Sequence, residues 1–340
     1  MRIAAISLAV LTFAPLVWAH HSVTAFFDRD TTVEVEGAVT DVFWRNPHVG
    51  LTLEVVNEAG ETEEWGLEGG AMNTLLRQGF SGESVNIGDH VKVAGAPSRR
   101  GELALFVSHF LLPSGQEVIF SDRDVPPRWT SPAVDDAASA SAGMGAADSG
   151  IFKVWGFREF NRLRTPLALT PRAQAANDAF DPRTDDPGLR CLPPGMPNAV
   201  LNPYPMELID EGDRIVQRIE EWDARRVIHM SAGPRAQAQE PNHLGYSVGR
   251  WEGSTLVIDT TRVRFPLLDG DGTPMSEDVE ILERYTLSED EFRLDYEIIV
   301  TDAENLVEPA IWEGAWLYRP GVEVRPFECT LPETVNPVYR

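Results

Sequence analysis

The sequence predicts a mainly β protein with two domains and few, short helices. Its 340 residues include 27 Gly, 25 Pro and nine Trp, a composition typical of many turns and short strands. Apolar and polar residues alternate over several short runs, which is the pattern of half-buried strands. We therefore expect a small OB-like barrel in the N-terminal half. In the C-terminal half we expect an antiparallel, lipocalin-like sheet or half-barrel with a short helix.

The charge balance excludes some classes of partner. The chain has 29 Lys and Arg against 53 Asp and Glu, which gives a net charge of −24. A surface this negative repels phosphate backbones, so we expect no nucleic-acid partner. It also disfavours anionic membrane surfaces. The 43% hydrophobic fraction is sufficient for buried cores, so the chain as a whole is not of the disordered type.

The first nineteen residues have the pattern of a secretory signal peptide. Arg2 is followed by an apolar run from Ile3 to Val17, and Val17 and Ala19 place small residues before a cleavage site. The run is short for a bilayer span, although a retained N-terminal anchor is the alternative. We expect cleavage after Ala19, a periplasmic or secreted location, and no integral membrane segment after processing.

Residues 20–120 are predicted to form the OB-like barrel. Asn73 and Gly79 are a candidate N-cap and C-cap for one short helix inside this module. Five or so strands with one short helix in about 100 residues fit such a barrel. The predicted strands cover residues 32–36, 39–44, 49–55, 64–67, 87–95, 103–112 and 117–120.

Residues 121–150 are predicted to be a flexible linker. The segment begins with prolines and continues as a low-complexity run of Ala, Ser, Gly and Asp without an apolar period. It separates the two predicted domains.

Residues 151–340 are predicted to form the second β domain. Thr170 and Pro171 are a favourable N-cap and first position for a helix that ends near Phe180. Residues 181–205, rich in Pro, Gly and Asp, are interpreted as a strap across the domain. We expect about eight strands in an antiparallel meander, covering residues 207–209, 214–222, 225–230, 245–251, 255–260, 280–287, 291–301, 310–318 and 322–329.

The two cysteines predict one disulfide. Cys191 and Cys329 are an even pair in a chain expected to be exported, and a bond between them closes a loop of about 140 residues. The alternative is two free buried thiols. Neither cysteine belongs to a Cys-x-x-Cys motif, so a thioredoxin-type redox site is not indicated.

Several motifs resemble an uncharacterised family of exported proteobacterial proteins. The N-terminal matches cover residues 20–120, and the C-terminal half resembles an extension common among such proteins. The resemblance implies an OB-like fold and export, and it implies no activity. Thr273, Met275 and Glu280 stand where the extension often has histidines. The matching motifs are His20-His-Ser22, Phe26-Phe-Asp28, Trp44-Arg-Asn-Pro-His48, Trp65-Gly-Leu-Glu-Gly-Gly70, Leu75-Leu-Arg-Gln-Gly79, Leu189-Arg-Cys-Leu-Pro-Pro-Gly195, Asn202-Pro-Tyr-Pro205, Glu221-Trp-Asp223, Leu244-Gly-Tyr-Ser-Val-Gly-Arg-Trp-Glu-Gly253 and Leu256-Val-Ile-Asp-Thr260.

The mature N-terminus is a candidate metal site. Cleavage after Ala19 would free the α-amine of His20, and this amine with the His20 imidazole forms a bidentate chelate. His21 and His48, on the Asn-Pro turn, are candidate further ligands. Nitrogen-rich sites suit Cu(II), which makes Cu(II) the expected cofactor if there is one. The alternative is a tolerated polar start and a turn histidine.

Two further patterns are candidate sites. The run Asp269-Gly-Asp-Gly-Thr273 is similar to a calcium loop in its carboxylate spacing, but Pro274 replaces the required Gly, so an acidic hairpin tip is favoured. Aromatic and acidic residues in the second domain are a candidate ligand pocket, or else ordinary core. They are Trp222, Asp223, Trp251, Asp259, Tyr285, Tyr296 and Trp312.

The sequence thus leaves three hypotheses for function. The first is a periplasmic metal-binding or accessory protein, with copper favoured. The second is a binder of an apolar small molecule, or an enzyme acting on one, in the C-terminal domain. The third is a purely structural or interaction module, whose OB-like barrel would engage a periplasmic protein partner or a glycan. No nucleophile elbow, phosphate-binding loop, dinucleotide fingerprint or zinc-protease motif is present, so whether the protein is an enzyme stays open.

Overall fold

The computed structural model describes residues 23–120, 125–130, 150–182, 184–231 and 240–330. Within them the chain is mainly β and forms two barrels, as the sequence predicts. The predicted signal peptide and the greater part of the predicted linker lie outside the described residues. The elements before residue 121 are α1 (Val23–Phe26), β1 (Val33–Phe43), β2 (Gly50–Val56), β3 (Thr62–Glu68), α2 (Met72–Arg77), β4 (His90–Pro97), β5 (Ala104–Leu111) and β6 (Glu117–Ile119).

The N-terminal barrel is closed by β1 to β5. Its strands pair in the order β3-β2-β1-β4-β5, and a parallel pairing of β3 with β5 joins the two ends. Helix α2 lies between β3 and β4, and β6 extends the sheet beyond β5. The long strand β1 passes close to β2 at Gly37, where a Cβ atom would lie 2.3 Å from the Glu54 carbonyl oxygen. Only glycine allows this close approach of two strands.

Helix α2 begins earlier than its sequence predicts. Asn73 is a candidate N-cap, but the helix begins at Met72 and Ala71 occupies the cap position. The Met72 amide donates to the side-chain oxygen of Asn46 at 2.9 Å, so a residue distant in sequence satisfies it. Asn73 is buried and donates instead to the carbonyl of Pro326 at 3.0 Å. The predicted Asn73 cap is therefore wrong, because tertiary contacts replace the local cap.

The first barrel includes part of the segment predicted as linker. The Glu117 carboxylate accepts hydrogen bonds from the backbone amides of Arg128, Trp129 and Thr130 at 2.6–3.0 Å. The ammonium group of Lys92 lies 5.1 Å from the Trp129 ring. Residues 125–130 are thus bound to β4 and β6, whereas residues 131–149 lie outside the described residues.

The C-terminal barrel is closed by β7 to β15. Its strand order is β10-β11-β12-β13-β14-β15-β7-β8-β9, with β9 paired to β10. All pairings are antiparallel except that of β10 with β11. The elements are β7 (Val154–Leu163), α3 (Pro171–Ala179), α4 (Asn198–Leu201), β8 (Met206–Asp210), β9 (Arg214–Ile219), β10 (Ala224–His229), β11 (Tyr246–Glu252), β12 (Thr255–Thr261), β13 (Glu280–Leu287), β14 (Arg293–Thr301) and β15 (Ala310–Tyr318).

Full closure depends on a strand that the sequence pattern does not reveal. Strand β7 pairs with β15 on one side and β8 on the other, and it converts the expected half-barrel into a closed one. The predicted last strand, 322–329, is not a strand of this barrel. Helix α3 is as predicted: Thr170 caps it, its hydroxyl accepting from the Ala173 amide at 3.3 Å.

The predicted disulfide between Cys191 and Cys329 is confirmed. It joins the strap, residues 181–205, to the tail segment, which we define as residues 325–330. The tail segment runs between the barrels, since Cys329 forms a parallel β-bridge with Asn46 of the N-terminal barrel. The disulfide therefore fixes the strap at the junction of the two barrels.

Candidate functional site

A cleft of about 720 Å³ lies where the two barrels and the strap meet. The N-terminal barrel contributes His48, Thr74 and Phe106 among others, and the strap contributes Asp186 and Asn202. The C-terminal barrel contributes residues near one of its ends, namely Glu221, Trp222, Phe265, Leu267 and Asp269. Junctions between domains are frequent places for ligand sites, and this volume is typical of them.

The centre of this junction is the acidic turn, which we define as Glu220 to Asp223, between β9 and β10. Glu220 is fully buried and its carboxylate accepts two hydrogen bonds from Arg77 of α2, at 2.6 and 2.9 Å. It also accepts from the Arg325 amide at 2.9 Å. Asp223 accepts from the Phe327 amide at 3.1 Å. The two ends of the turn thus bind the other barrel and the tail segment.

Glu221, the second residue of the acidic turn, faces the cleft and is 6% exposed. Its carboxyl accepts a hydrogen bond from the Asn202 amide group at 2.7 Å. Burial raises the pKa of Glu221 to about 8, although the hydrogen bond from Asn202 by itself lowers it. The nearby charge of Asp186 adds to the increase. The group is therefore a neutral carboxylic acid near pH 7, able to donate a proton or a hydrogen bond into the cleft.

This raised pKa makes stability depend on pH. Unfolded Glu221 ionises near its ordinary value of 4.5, whereas the folded group holds its proton to about 8. The folded state thus binds more protons between these values, so the contribution of Glu221 to stability falls as pH rises from about 4.5 to about 8. We expect the free energy of unfolding of Glu221→Gln to rise relative to that of wild type as pH increases across this window. Denaturant unfolding of both proteins at pH 5 and pH 8 measures this difference. The same difference at the two pH values would contradict the prediction.

Trp222, the third residue of the acidic turn, is held in a left-handed conformation at φ 54°. Its indole nitrogen donates to the Cys191 carbonyl at 3.0 Å, and its ring lies 5.1 Å from that of Phe327. A left-handed conformation costs a residue with a side chain about 1–3 kcal/mol, and it persists only where surrounding contacts fix it. The disulfide and the tail segment supply those contacts, and Trp222 lines the cleft as a result.

His48 lines the cleft from the N-terminal barrel. Its Nδ1 lies 3.0 Å from the Gly69 carbonyl oxygen, and the buried Glu68 carboxylate is 3.3 Å away. A carbonyl oxygen only accepts, so Nδ1 carries a proton, and in the neutral imidazole the lone pair of the ring is on Nε2. In that form Nε2 is the nitrogen of His48 with the chemistry of a metal ligand. Histidine ligands of metals are commonly oriented in this way.

Only one of the three predicted metal ligands lies within the described residues. His20 and His21 are outside them, and His48 lies at the cleft. In the ranges that the structure describes, no group of three or more His, Cys, Asp and Glu is placed to hold a metal ion. A second imidazole of the N-terminal barrel, that of His109, has both ring nitrogens within hydrogen-bond distance of oxygens of Ser108 and Pro126.

The calcium-loop pattern forms a hairpin tip at the cleft. The carboxylate of Asp269 accepts from the backbone amides of Asp271 and Thr273 at 3.0 Å each. This local turn is the acidic hairpin tip that Pro274 favours. Burial raises the pKa of Asp269, although the hydrogen bonds from Thr273 lower it.

The residues predicted as one pocket occupy four separate places. Trp222 and Asp223 lie on the acidic turn. Trp251, near the end of β11, is 45% exposed and its ring lies 6.4 Å from that of Phe152. Asp259 is exposed on β12 and pairs with Arg250. The remaining three are buried in the C-terminal core, and both tyrosine rings pack on Trp316. These are Tyr285, Tyr296 and Trp312.

The interior of the C-terminal barrel contains a buried ion pair. The Arg226 guanidinium binds both oxygens of Glu283 and donates to Gln217 at 3.1 Å and Ser247 at 2.9 Å. Tyr285 donates to Glu283 at 2.5 Å. Burial lowers the pKa of Arg226, but the Glu283 charge outweighs it and the net direction is up. The site is a satisfied polar network inside a packed core.

Several cleft residues were not predicted as site residues, among them Asp186, Asn202 and Phe265. Asp186 and Asn202 belong to the strap, which lacks an apolar period, so only its cysteine and its Asn-Pro-Tyr-Pro motif distinguish it in the sequence. Polar residues in a Pro-rich segment are more often turn formers than ligand contacts. Their role follows from the disulfide, which fixes the strap over the acidic turn.

Fold and site together define a two-barrel β protein with a cleft at the barrel junction. Residues 8–105 match the sequence profile of a family of unknown function (DUF6152). The predicted resemblance to an uncharacterised family is confirmed for this part of the chain. A comparison with curated proteins finds no match to the chain. Among the described residues there is no helix with the length and apolar character needed to cross a membrane.

Proposed function

We propose that this protein is an exported small-molecule-binding protein whose ligand occupies the cleft between the barrels. The observation that carries the proposal is the cleft itself, about 720 Å³ in volume and lined from both barrels and the strap. The volume is within the range of small-molecule sites, roughly 300–1,000 Å³. The hypothesis of a ligand in the C-terminal domain is thus kept, with the ligand placed at the end of that barrel.

The lining combines an apolar wall with a few polar groups. Trp222, Phe265 and Leu267 offer apolar surface, while Glu221 and His48 offer groups that donate or accept protons. Such a combination is typical of sites that bind an apolar body and orient it by a small number of polar contacts.

Export is proposed on two grounds. The N-terminal pattern is that of a cleaved signal peptide, and the protein contains a disulfide, which persists in oxidising compartments. Fractionation of the host, with N-terminal sequencing of the mature chain, tests both the location and the expected His20 start.

Occupancy of the cleft is testable by native mass spectrometry of protein purified from its host. We expect a retained small molecule in wild type and a loss of it in Thr74→Trp, because Thr74 lines the cleft and a large side chain there fills it. Leu76→Trp is the matched control, since Leu76 is 39% exposed on the same helix and does not line the cleft. A ligand-free wild type in every preparation, or equal loss in both variants, would refute the proposal.

Copper binding at the mature N-terminus is the second candidate. His48 supports it, because the Gly69 carbonyl oxygen at its Nδ1 is the kind of contact that orients metal-binding histidines. His20 and His21 would supply the α-amine and further imidazole nitrogens, a donor set that suits Cu(II). Titration of Cu(II) into processed protein, followed by electron paramagnetic resonance, tests this candidate. Equal affinity in a variant with one extra N-terminal Gly would show that the amine is not a ligand.

A further inference from the structure

The acidic turn contains two adjacent buried glutamates with different partners. Glu220 is fully buried and paired with the Arg77 guanidinium. Glu221 is 6% exposed, and its hydrogen-bond partner is the neutral amide of Asn202. In the described part of the chain no cation pairs with Glu221. A buried carboxyl without a cation is costly to ionise, so a positive charge that enters from the cleft would stabilise the ionised form of Glu221.

The lining of the cleft favours a positive ligand. Three carboxyl groups line it, those of Asp186, Glu221 and Asp269. Among the described lining residues Arg29 is the sole Arg or Lys, and its guanidinium lies 6.0 Å from the centre of the Phe106 ring. The net charge of −24 further attracts cations to the protein.

The same cleft offers aromatic surface to a cation. Tyr204, Trp222 and Phe265 are among the lining residues. The faces of aromatic rings attract alkylammonium groups, with indole the strongest. Trp222 is adjacent in sequence to Glu221, and its ring is fixed by Cys191 and Phe327. A carboxyl beside a rigid indole is a suitable arrangement for an ammonium group.

A dehydrated metal ion is disfavoured as the occupant next to Glu221. Metal sites need several ligands at once, and the described residues contain no group of three or more His, Cys, Asp and Glu placed for this. An organic cation needs one counter-ion and apolar contacts, and the cleft supplies both.

We propose that the ligand of the cleft is an organic cation, a protonated amine or quaternary ammonium on an apolar body, and that Glu221 is its counter-ion. This rests on the proposed function. On binding, the neutral Glu221 carboxyl releases its proton to solvent and becomes the carboxylate that pairs with the ligand ammonium. The ligand keeps its own charge and no covalent bond to it forms or breaks. The raised pKa of Glu221 supports this coupling, because one proton then leaves per ligand near pH 7.

The test compares a cation with a neutral molecule of similar shape. Benzyltrimethylammonium and 2-phenylethanol are titrated into the full mature protein at pH 7 by isothermal calorimetry, in two buffers that differ in ionisation enthalpy. We expect the cation to bind at least tenfold more tightly and to release close to one proton. Glu221→Gln should abolish both the preference and the proton release. Asp259→Asn, the equivalent carboxyl-to-amide change at an exposed position of β12, should alter neither.

Equal affinities for the two probes would overturn the cation proposal, as would an unchanged preference in Glu221→Gln. Absence of binding by both probes also counts against it. The retained-ligand measurement separates these results from failure of the proposed function. If the retained molecule is neutral or anionic and is lost in Thr74→Trp, the cleft is a binding site but the cation proposal is refuted. If the retained molecule is an amine, both the binding site and the cation proposal are supported.

Discussion

Replacing Arg226 by Met is expected to destabilise the C-terminal barrel by about 3–5 kcal/mol, because it leaves the Glu283 charge buried without a partner. Both side chains are within 1% of full burial, so solvent does not reach the pair in the folded barrel. Tyr285 and Thr260 also bind this pair, and their hydrogen bonds would be disturbed. Guanidinium unfolding followed by tryptophan fluorescence measures the effect.

The double variant Arg226→Met/Glu283→Leu separates two contributions to the destabilisation, namely the loss of the ion pair and the burial of an unpaired Glu283 charge. Removing both charges replaces a buried ion pair by apolar volume, which is often close to neutral. We therefore expect the double variant to recover most of the stability lost in the single one. A loss below about 1 kcal/mol in Arg226→Met would show that Glu283 is neutralised or hydrated in some other way.

Replacing Arg77 by Ala is expected to cost about 3–5 kcal/mol and to weaken the junction between the barrels. Arg77 is the cationic partner of the fully buried Glu220 and joins helix α2 to the acidic turn. Its loss leaves the Glu220 carboxylate with the Arg325 amide alone. Because Glu221 is the next residue, we also expect loss of the retained ligand. Differential scanning calorimetry and native mass spectrometry test the two effects.

Arg99→Ala is the matched control for Arg77→Ala. Arg99 belongs to the same barrel, but its side chain is 47% exposed and lies 3.4 Å from Asp28. Exposed pairs contribute about 0–1 kcal/mol, so this variant should unfold nearly as wild type and keep the ligand. Equal losses in the two variants would mean that Arg77 does not join the barrels through Glu220.

Much of the fold is encoded locally. The strands of both barrels follow from short alternating runs and their turns, because one face of each strand is buried. Helix α3 follows from Thr170 and Pro171, which satisfy its first amides without help from distant residues. The hairpin tip at Asp269 was likewise recognisable from its turn residues and from Pro274.

Features that depend on distant residues were not predictable in this way. Helix α2 takes its cap from Asn46, and Asn73 is used by the tail segment. Strand β7 has no distinctive pattern, yet it closes the barrel by pairing with β15. The predicted pocket was a set of aromatic and acidic residues chosen by residue type alone. Residue type does not show on which face of a strand a side chain lies, because that depends on the strand register.

By itself the sequence determined a mainly β chain with two β regions, a pair of cysteines suited to one disulfide and a strongly negative net charge. These properties depend on composition and on residues close to one another in the chain. The tertiary structure alone decided that the C-terminal sheet closes into a barrel and that the acidic turn meets α2, the strap and the tail segment in one cleft. The physical reason is that a carboxyl such as Glu221 acquires its burial, its partners and its proton from segments far apart in sequence.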